Sequence, residues 1–156
     1  MGLFKFAASH SMTKYTTPNN IVIYADDDLD DIELVDDAFK QFANNVEVIT
    51  FRDGSQALSY LHNLGEEDPV PCLVILDINM PVLNGKETLV RLRQVEKFKD
   101  VPVVLFTTSS MPADKNFARQ YGAGFVTKPL GYEQMEMITK EFINNCTQET
   151  QNKIRR

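Results

Sequence analysis

The sequence contains few of the residues that mark several large classes of protein. It has two cysteines, Cys72 and Cys146, and two histidines, His10 and His62, whose positions do not match the spacing of a zinc site. We therefore expect free thiols, as in a cytoplasmic protein, and no disulfide framework. No apolar run approaches the roughly 20 residues of a membrane-spanning helix, so we expect no membrane association.

Basic charge is also scarce. The formal net charge is −6, and the longest basic stretch is the short segment 153–156. A nucleic-acid-binding domain carries a basic face, so the composition argues against that class. The 156 residues, 43% of them hydrophobic, fit one globular domain. We expect this domain at 20–146, between a flexible tail at 1–19 and a polar tail at 147–156.

Short apolar runs alternate with segments of helical periodicity along the chain. The runs predict five strands, near 21–25, 46–51, 73–76, 101–106 and 125–127. Five strands that alternate strictly with five helices predict an α/β fold, a doubly wound parallel sheet with helices on both faces. We expect the flavodoxin-like strand order 2-1-3-4-5, in which ligands bind beyond the carboxyl ends of the strands.

Two helices carry clear sequence signals. The first has an apolar stripe at helical spacing, formed by Leu29, Ile32, Val35, Phe39 and Phe42. The third begins with Asn84 and Glu87 at the spacing of a capping box. These signals predict helices that begin just after the first and third strands.

Polar side chains follow four of the predicted strands. Asp26, Asp27 and Asp28 follow the first strand, Asp77 the third, Thr107 the fourth and Lys128 the fifth. Because the carboxyl ends of parallel strands lie at one edge of a sheet, we expect these side chains to converge.

The converging residues suit phosphoryl chemistry. Three carboxylates in one place repel one another, and a divalent cation such as Mg²⁺, which prefers oxygen ligands, removes that penalty. Lys128 adds a positive charge and Thr107 a hydroxyl donor. We therefore predict attack by the Asp77 carboxylate on phosphorus, which gives an aspartyl-phosphate.

Each residue also has a simpler interpretation when taken alone. The three consecutive aspartates could cap the following helix, and Asp77 could be a turn residue before Met80 and Pro81. Thr107 could be an ordinary strand-end hydroxyl, and Lys128 a solvated charge. The joint placement of all of them at strand ends favours a site.

The sequence resembles the receiver domain of two-component response regulators, the family typified by the chemotaxis regulator. The resemblance covers about residues 20 to 145 and is carried by four motifs. These are the acidic pair in 24–28, the run from Asp77 to Gly85, Thr107 with its small-to-medium neighbour, and Lys128-Pro129.

The resemblance implies a role for each site residue. Asp77 would accept the phosphoryl group, while Asp27 would bind Mg²⁺ directly and Asp26 would assist through water. The Asn79 backbone carbonyl would be a further metal ligand. Thr107 and Lys128 would contact the phosphoryl oxygens, Thr107 and Phe125 would form the switch, and the bond before Pro129 would be cis.

The sequence departs from the family pattern at two positions. Phe125 stands where many members have tyrosine, so a switch there would work through burial of a ring without a hydroxyl. Thr108 is bulkier than the alanine or glycine common at its position, which would narrow access to the phosphoryl group.

The resemblance also implies partners. The phosphoryl group would come from a sensor histidine kinase. The 107–109 segment and the acidic second loop resemble those of stand-alone receivers whose partners are phytochrome-type kinases. The chain stops soon after the predicted last helix, so we expect output through a downstream target, a histidine phosphotransfer protein or a second copy of the chain. The protein would be a signalling domain and not a metabolic enzyme, and would assist only its own phosphotransfer and dephosphorylation.

Three other interpretations account for part of the sequence. A phosphatase of the haloacid-dehalogenase type would use Asp26 as nucleophile and Asp28 as acid, but Asp30 stands where that motif has threonine or valine. A calcium-binding EF-hand fails because Asp31 replaces the turn glycine. A degenerate receiver that acts as a phosphate-independent binding module is disfavoured by the complete set of acidic, threonine and lysine residues.

Overall fold

The sheet has five parallel strands in the order predicted from the sequence. A computed structural model describes residues 20–146 and Gln151; the tail predicted at 1–19, with His10, and the rest of the tail predicted at 147–156 lie outside the described residues. The strands are β1 (Asn20–Ala25), β2 (Val46–Phe51), β3 (Leu73–Leu76), β4 (Val103–Thr107) and β5 (Gly124–Thr127). They are arranged β2-β1-β3-β4-β5, so the predicted doubly wound, flavodoxin-like fold is confirmed.

Five α-helices alternate with the strands. They are α1 (Leu29–Phe42), α2 (Gly54–His62), α3 (Gly85–Arg93), α4 (Pro112–Gln120) and α5 (Met135–Asn144), the last preceded by a 3-10 turn at Tyr132–Gln134. Among the described residues, none of these helices is both long and apolar enough to cross a bilayer.

The helix starts follow the sequence signals. The Asn84 and Glu87 side chains each accept a hydrogen bond from the other residue's backbone N–H, at 2.9 and 3.1 Å, which confirms the capping box of α3. Asp28 caps α1 by accepting from the backbone of Asp30 at 2.9 Å and of Asp31 at 3.3 Å. One member of the acidic triplet is therefore a cap, as the simpler interpretation of that triplet proposed.

The helices cover both faces of the sheet with apolar side chains. On one face the buried side chains of α1 and α5 include Val35, Phe39 and Phe142. On the other face those of α2 and α3 include Leu61 and Leu89. β3 lies between these layers and all four of its residues are buried, as expected for a continuous apolar strand in a parallel sheet.

Two sequence expectations about this framework were wrong. The sequence places Leu29 in the apolar stripe of α1, but this first residue of the helix is 60% exposed. The fourth strand begins at Val103 and not at 101, since Pro102 has no backbone N–H to give to a ladder.

The peptide bond between Lys128 and Pro129 corrects a third expectation. The resemblance implied a cis bond, but the described residues contain no cis peptide bond. The trans form is the lower in energy for a bond before proline. The chain after Pro129 is held by a 3.0 Å hydrogen bond from the Leu130 backbone to the Gln134 side chain.

Candidate functional site

The acidic centre lies at the carboxyl edge of the sheet. Asp26 directly follows β1 and Asp77 directly follows β3, two neighbouring strands. The Asp77 backbone N–H donates to the carbonyl of Ala25 at 3.0 Å, which extends the ladder by one residue and fixes the two aspartates side by side. Carboxylate oxygens of Asp26, Asp27 and Asp77 all lie within 4.8 Å of one another.

The three carboxylates differ in environment. Asp26 is fully buried and Asp77 is 6% exposed, whereas Asp27 is exposed. Asp26 accepts hydrogen bonds from the Tyr24 hydroxyl at 2.5 Å and from the Asp28 backbone at 3.0 Å. The cluster therefore has a rigid, hydrogen-bonded interior and one side open to solvent.

Lys128 is the cation of the cluster. Its Nζ lies 2.8 Å from Asp26, 2.7 Å from Asp31 and 3.5 Å from Asp77. Burial alone would lower the pKa of Lys128, but the hydrogen bonds to Asp26 and Asp31 outweigh that effect and raise its pKa. The lysine is thus a permanent positive charge bound most closely to two partners other than Asp77.

The ionised form of Asp77 is destabilised by its surroundings. Burial and the neighbouring Asp26 charge raise the pKa of Asp77 to about 7, and Lys128 offsets only part of that. Loss of the proton leaves a poorly compensated negative charge, and a divalent cation would relieve this repulsion. The donor set, carboxylates only, is the kind that hard cations such as Mg²⁺ and Mn²⁺ prefer, so these residues fit a divalent metal.

Thr107 ends β4 in a fully buried position. Its hydroxyl oxygen accepts a hydrogen bond from the Ser109 backbone at 3.1 Å, and its carbonyl accepts one from the Lys128 backbone at 2.8 Å. The second bond joins the ends of β4 and β5, and it places Thr107 beside the lysine. The neighbouring Thr108 is exposed.

The loop after Thr107 is tied to two helices. The Ser109 hydroxyl donates to Asp114 at 2.5 Å, and Asp114 also forms an ion pair with Lys86 of α3. The hydrogen bonds from Lys86 and Ser109 lower the pKa of Asp114. This network fixes the position of the segment that Thr107 begins.

The loop after Asp77 depends on one glycine. A Cβ added at Gly85 would lie 2.2 Å from the carbonyl oxygen of Asp77, and the Gly85 backbone donates to Ile78 at 2.9 Å. The start of α3 can approach Asp77 this closely only because residue 85 has no side chain. In the same loop Val82 has a φ of 66° and is 82% exposed, a backbone conformation unusual for a β-branched residue.

The remaining predicted residues lie around this centre. The Asn79 residue is exposed in the loop after Asp77. Phe125 is partly buried in β5, and Lys115 of α4 lies over its ring at 5.9 Å from the centroid. The structure therefore brings Asp26, Asp77, Thr107 and Lys128 to one edge, with Asp27 on the open side.

Sequence reasoning missed two residues of the site. Asp31 pairs with Lys128, and Tyr24 donates its hydroxyl to Asp26. Asp31 stands in the first turn of α1 among several acids, so spacing alone does not show which of them faces the sheet edge. Tyr24 was assigned to the first strand as a buried residue; a phenol buried next to an aspartate is the signal that could have identified its partner.

Comparisons with known proteins agree with this geometry. Residues 22–140 match the response regulator receiver domain family. The chain is 34% identical over 100 residues to response regulator Rcp1 of Synechocystis sp., a match that covers 63% of this chain and 68% of Rcp1.

Two solved structures extend the comparison. The phosphorylated cyanobacterial phytochrome response regulator RcpA superposes with a TM-score of 0.73 at 27% identity, covering 83% of this chain and 98% of RcpA. The Mn²⁺-bound form of Rcp1 superposes with a TM-score of 0.69 at 28% identity, covering 78% of this chain and 92% of Rcp1.

Proposed function

Because this chain belongs to the family of response regulator receiver domains, we propose that it is a phosphorylation switch whose acceptor is the Asp77 carboxylate. The single observation that carries the proposal is the convergence of Asp26, Asp27 and Asp77 within 4.8 Å, with Lys128 Nζ at 2.8 Å from Asp26 and 3.5 Å from Asp77. These residues come from the ends of three strands. Well-packed apolar residues would often stabilise a fold as well as a buried cluster of charges does, so stability alone does not explain this cluster.

Mg²⁺ is the proposed cofactor of this site. Asp27, on the open side, would bind the ion directly, Asp26 would assist through water, and Asp77 and the Asn79 carbonyl would complete the protein ligands. When bound, the ion would neutralise the repulsion that raises the pKa of Asp77 and would offset charge on a phosphoryl group. The Mn²⁺-bound form of Rcp1 supports a divalent ion in this family.

The proposed chemical step is transfer from phosphohistidine. An oxygen of the ionised Asp77 carboxylate attacks phosphorus, the phosphorus–nitrogen bond breaks, and the imidazole leaves with the electron pair. Lys128 holds its charge beside the carboxylate and would contact one phosphoryl oxygen. The Thr107 hydroxyl would donate to another.

The proposed switch begins at Thr107. Its hydroxyl oxygen now accepts from the Ser109 backbone, and a phosphoryl group on Asp77, with a charge of about −1.5 to −2, would attract the hydroxyl proton. Movement of Thr107 would leave space for the partly buried ring of Phe125. The surface beyond that ring, which includes Lys115 and the 74% exposed Met137, would change with it.

The proposed donor is a sensor histidine kinase of the phytochrome type. The proposed recipient of the signal is a downstream target, a histidine phosphotransfer protein or a second copy of the chain. The similarity to Rcp1 and RcpA supports the donor. We propose that the protein acts in the cytoplasm and has no catalytic output beyond its own phosphotransfer and dephosphorylation. Asp28 is occupied as the cap of α1, which disfavours the phosphatase alternative.

The experiment is incubation of the full chain with radiolabelled acetyl phosphate and MgCl₂. We expect incorporation of label that is lost on treatment with hydroxylamine and abolished by EDTA. Asp77→Asn should remove the label, whereas Asp37→Asn, at an exposed position of α1, should retain it. Absence of label from the native chain, or equal labelling of Asp77→Asn, would contradict the proposal.

A further inference from the structure

The ammonium group of Lys128 has three carboxylates around it and is not shared equally among them. Its Nζ lies 2.7 Å from Asp31 and 2.8 Å from Asp26, both within hydrogen-bond range, but 3.5 Å from Asp77. The bond from Lys128 to Asp31 joins residues that are 97 positions apart in the chain. The cation that the proposed reaction needs at Asp77 is therefore bound mainly to other residues.

The two close partners of Lys128 differ in how well they tolerate its departure. The Asp26 side chain is fully buried, and a buried carboxylate that loses its cation is strongly destabilised. The Asp31 side chain is 27% exposed and lies in the first turn of α1, where water and the helix N-terminus stabilise a negative charge. Asp31 is therefore the partner that Lys128 leaves with the smaller loss of stability.

The surroundings keep the ammonium group inside the cluster. The Lys128 side chain is largely buried, and its Nζ lies 5.7 Å from the centroid of the Phe106 ring, a favourable position for a cation. Loss of one carboxylate partner therefore brings the ammonium group closer to the remaining ones and not into water. Without the charge of Asp31, these remaining partners are Asp26 and Asp77.

We propose that Asp31 is a positioning residue, which holds the Lys128 ammonium away from Asp77 in the unphosphorylated protein and releases it when a phosphoryl group is attached there. This role rests on the proposed function of Asp77, because a phosphoryl group, with a charge of about −1.5 to −2, is the ligand that competes with Asp31 for the cation. Asp31 acts through Lys128 and contacts neither the phosphoryl group nor the metal.

This competition opposes the phosphorylated state. A phosphoryl group gains from Lys128 only the difference between the new contact and the contact with Asp31 that is lost. A partly exposed ion pair changes an equilibrium constant by a factor of about five. Asp31→Asn, which removes the charge but keeps the shape, should therefore strengthen the binding of a phosphoryl analogue by this factor. Replacement of a residue that only supports the fold would weaken binding or leave it unchanged.

The test is calorimetric titration of the full chain with beryllofluoride, which mimics a phosphoryl group bound to a carboxylate, at saturating MgCl₂. We expect the dissociation constant to fall about fivefold in Asp31→Asn. Asp31→Glu, which keeps the carboxylate, should remain close to the native value, and Asp77→Asn should not bind. Urea denaturation of each variant verifies that it is folded under the conditions of the titration.

Asp30→Asn is the matched control. Asp30 stands next to Asp31 in the first turn of α1 and carries the same charge, but it is exposed, whereas Asp31 is the residue that pairs with Lys128. Its replacement changes the general electrostatic field at this edge of the sheet by the same amount of charge. Because exposed charges are screened by salt, the affinity of Asp30→Asn should remain within about twofold of the native value.

Failure of the role of Asp31 can be distinguished from failure of the proposed function. If the native chain binds beryllofluoride and Asp77→Asn does not, equal or weaker binding by Asp31→Asn would overturn the role of Asp31 alone. An equal gain in affinity by Asp30→Asn would do the same, since the effect would then come from net charge. No binding by the native chain, or equal binding by Asp77→Asn, would overturn both the proposed function and the role of Asp31.

Discussion

Replacement of Asp77 by asparagine should stabilise the metal-free protein at neutral and alkaline pH. The pKa of Asp77 is raised from 3.8 to about 7 by burial and by Asp26. The folded state therefore retains a proton between pH 4 and pH 7 that the unfolded state has already lost. Since stability falls with pH wherever the folded state binds more protons, ionisation of Asp77 destabilises the fold as the pH rises through this window.

The size of the effect follows from the shift. A change of about three pKa units corresponds to about 4 kcal/mol at most, and the open side of the cluster at Asp27 allows water to screen part of it. We expect Asp77→Asn to be more stable than the native protein by about 2 kcal/mol at pH 8. Near pH 4 the protonated carboxyl and the amide are similar in shape and charge, so the difference should disappear.

The assay is urea denaturation in EDTA between pH 4 and pH 8, followed by circular dichroism because the chain has no tryptophan. Asp37→Asn, which removes an exposed carboxylate of α1, is the control and should follow the native curve. Equal stability of Asp77→Asn and native protein at pH 8 would refute the argument, as would a difference that is independent of pH.

Three further predictions follow from contacts in and beside the site. Lys128→Met should lower stability at pH 7 by about 3 kcal/mol, because it leaves the buried Asp26 without its cation, and should reduce labelling by acetyl phosphate; unchanged stability would contradict this. Gly85→Ala should lower the free energy of unfolding in urea by about 2 kcal/mol, because the added Cβ would lie 2.2 Å from the Asp77 carbonyl oxygen. A much smaller decrease would show that α3 can move away from Asp77 at little cost in stability. Val82→Asn should raise the free energy of unfolding by about 1 kcal/mol, since asparagine adopts a φ of 66° more readily than valine. Val70→Asn, at another exposed valine, is the control. Equal effects of the two substitutions on stability would exclude backbone strain at Val82.

The framework of the site could be predicted because strand order fixes which residues meet. The apolar run at 73–76 predicts β3, and the parallel topology then requires Asp77 to lie beside the residue that follows β1. Asp77, Asp26 and Lys128 were found in this way although they are distant in sequence. The convergence of these residues depends only on backbone topology, which hydrophobic periodicity predicts well.

The details that depend on side-chain direction could not be predicted. The rotation of α1 about its axis decides that Asp31 contacts Lys128 and that Leu29 faces solvent, and periodicity defines that rotation poorly in the first turn of a helix. The φ of 66° at Val82 runs against the preference of a β-branched residue, so the identity of the residue does not predict it.

The central claim is that Asp77 itself accepts the phosphoryl group, and the most direct measurement is to locate the adduct. The protein is incubated with acetyl phosphate and Mg²⁺, reduced with borohydride, which converts an aspartyl-phosphate to homoserine, digested and sequenced by mass spectrometry. We predict homoserine at position 77 and an unmodified aspartate at both Asp26 and Asp27. Conversion at Asp26 or Asp27, or no conversion at any aspartate in protein that is folded and Mg²⁺-bound, would contradict the account.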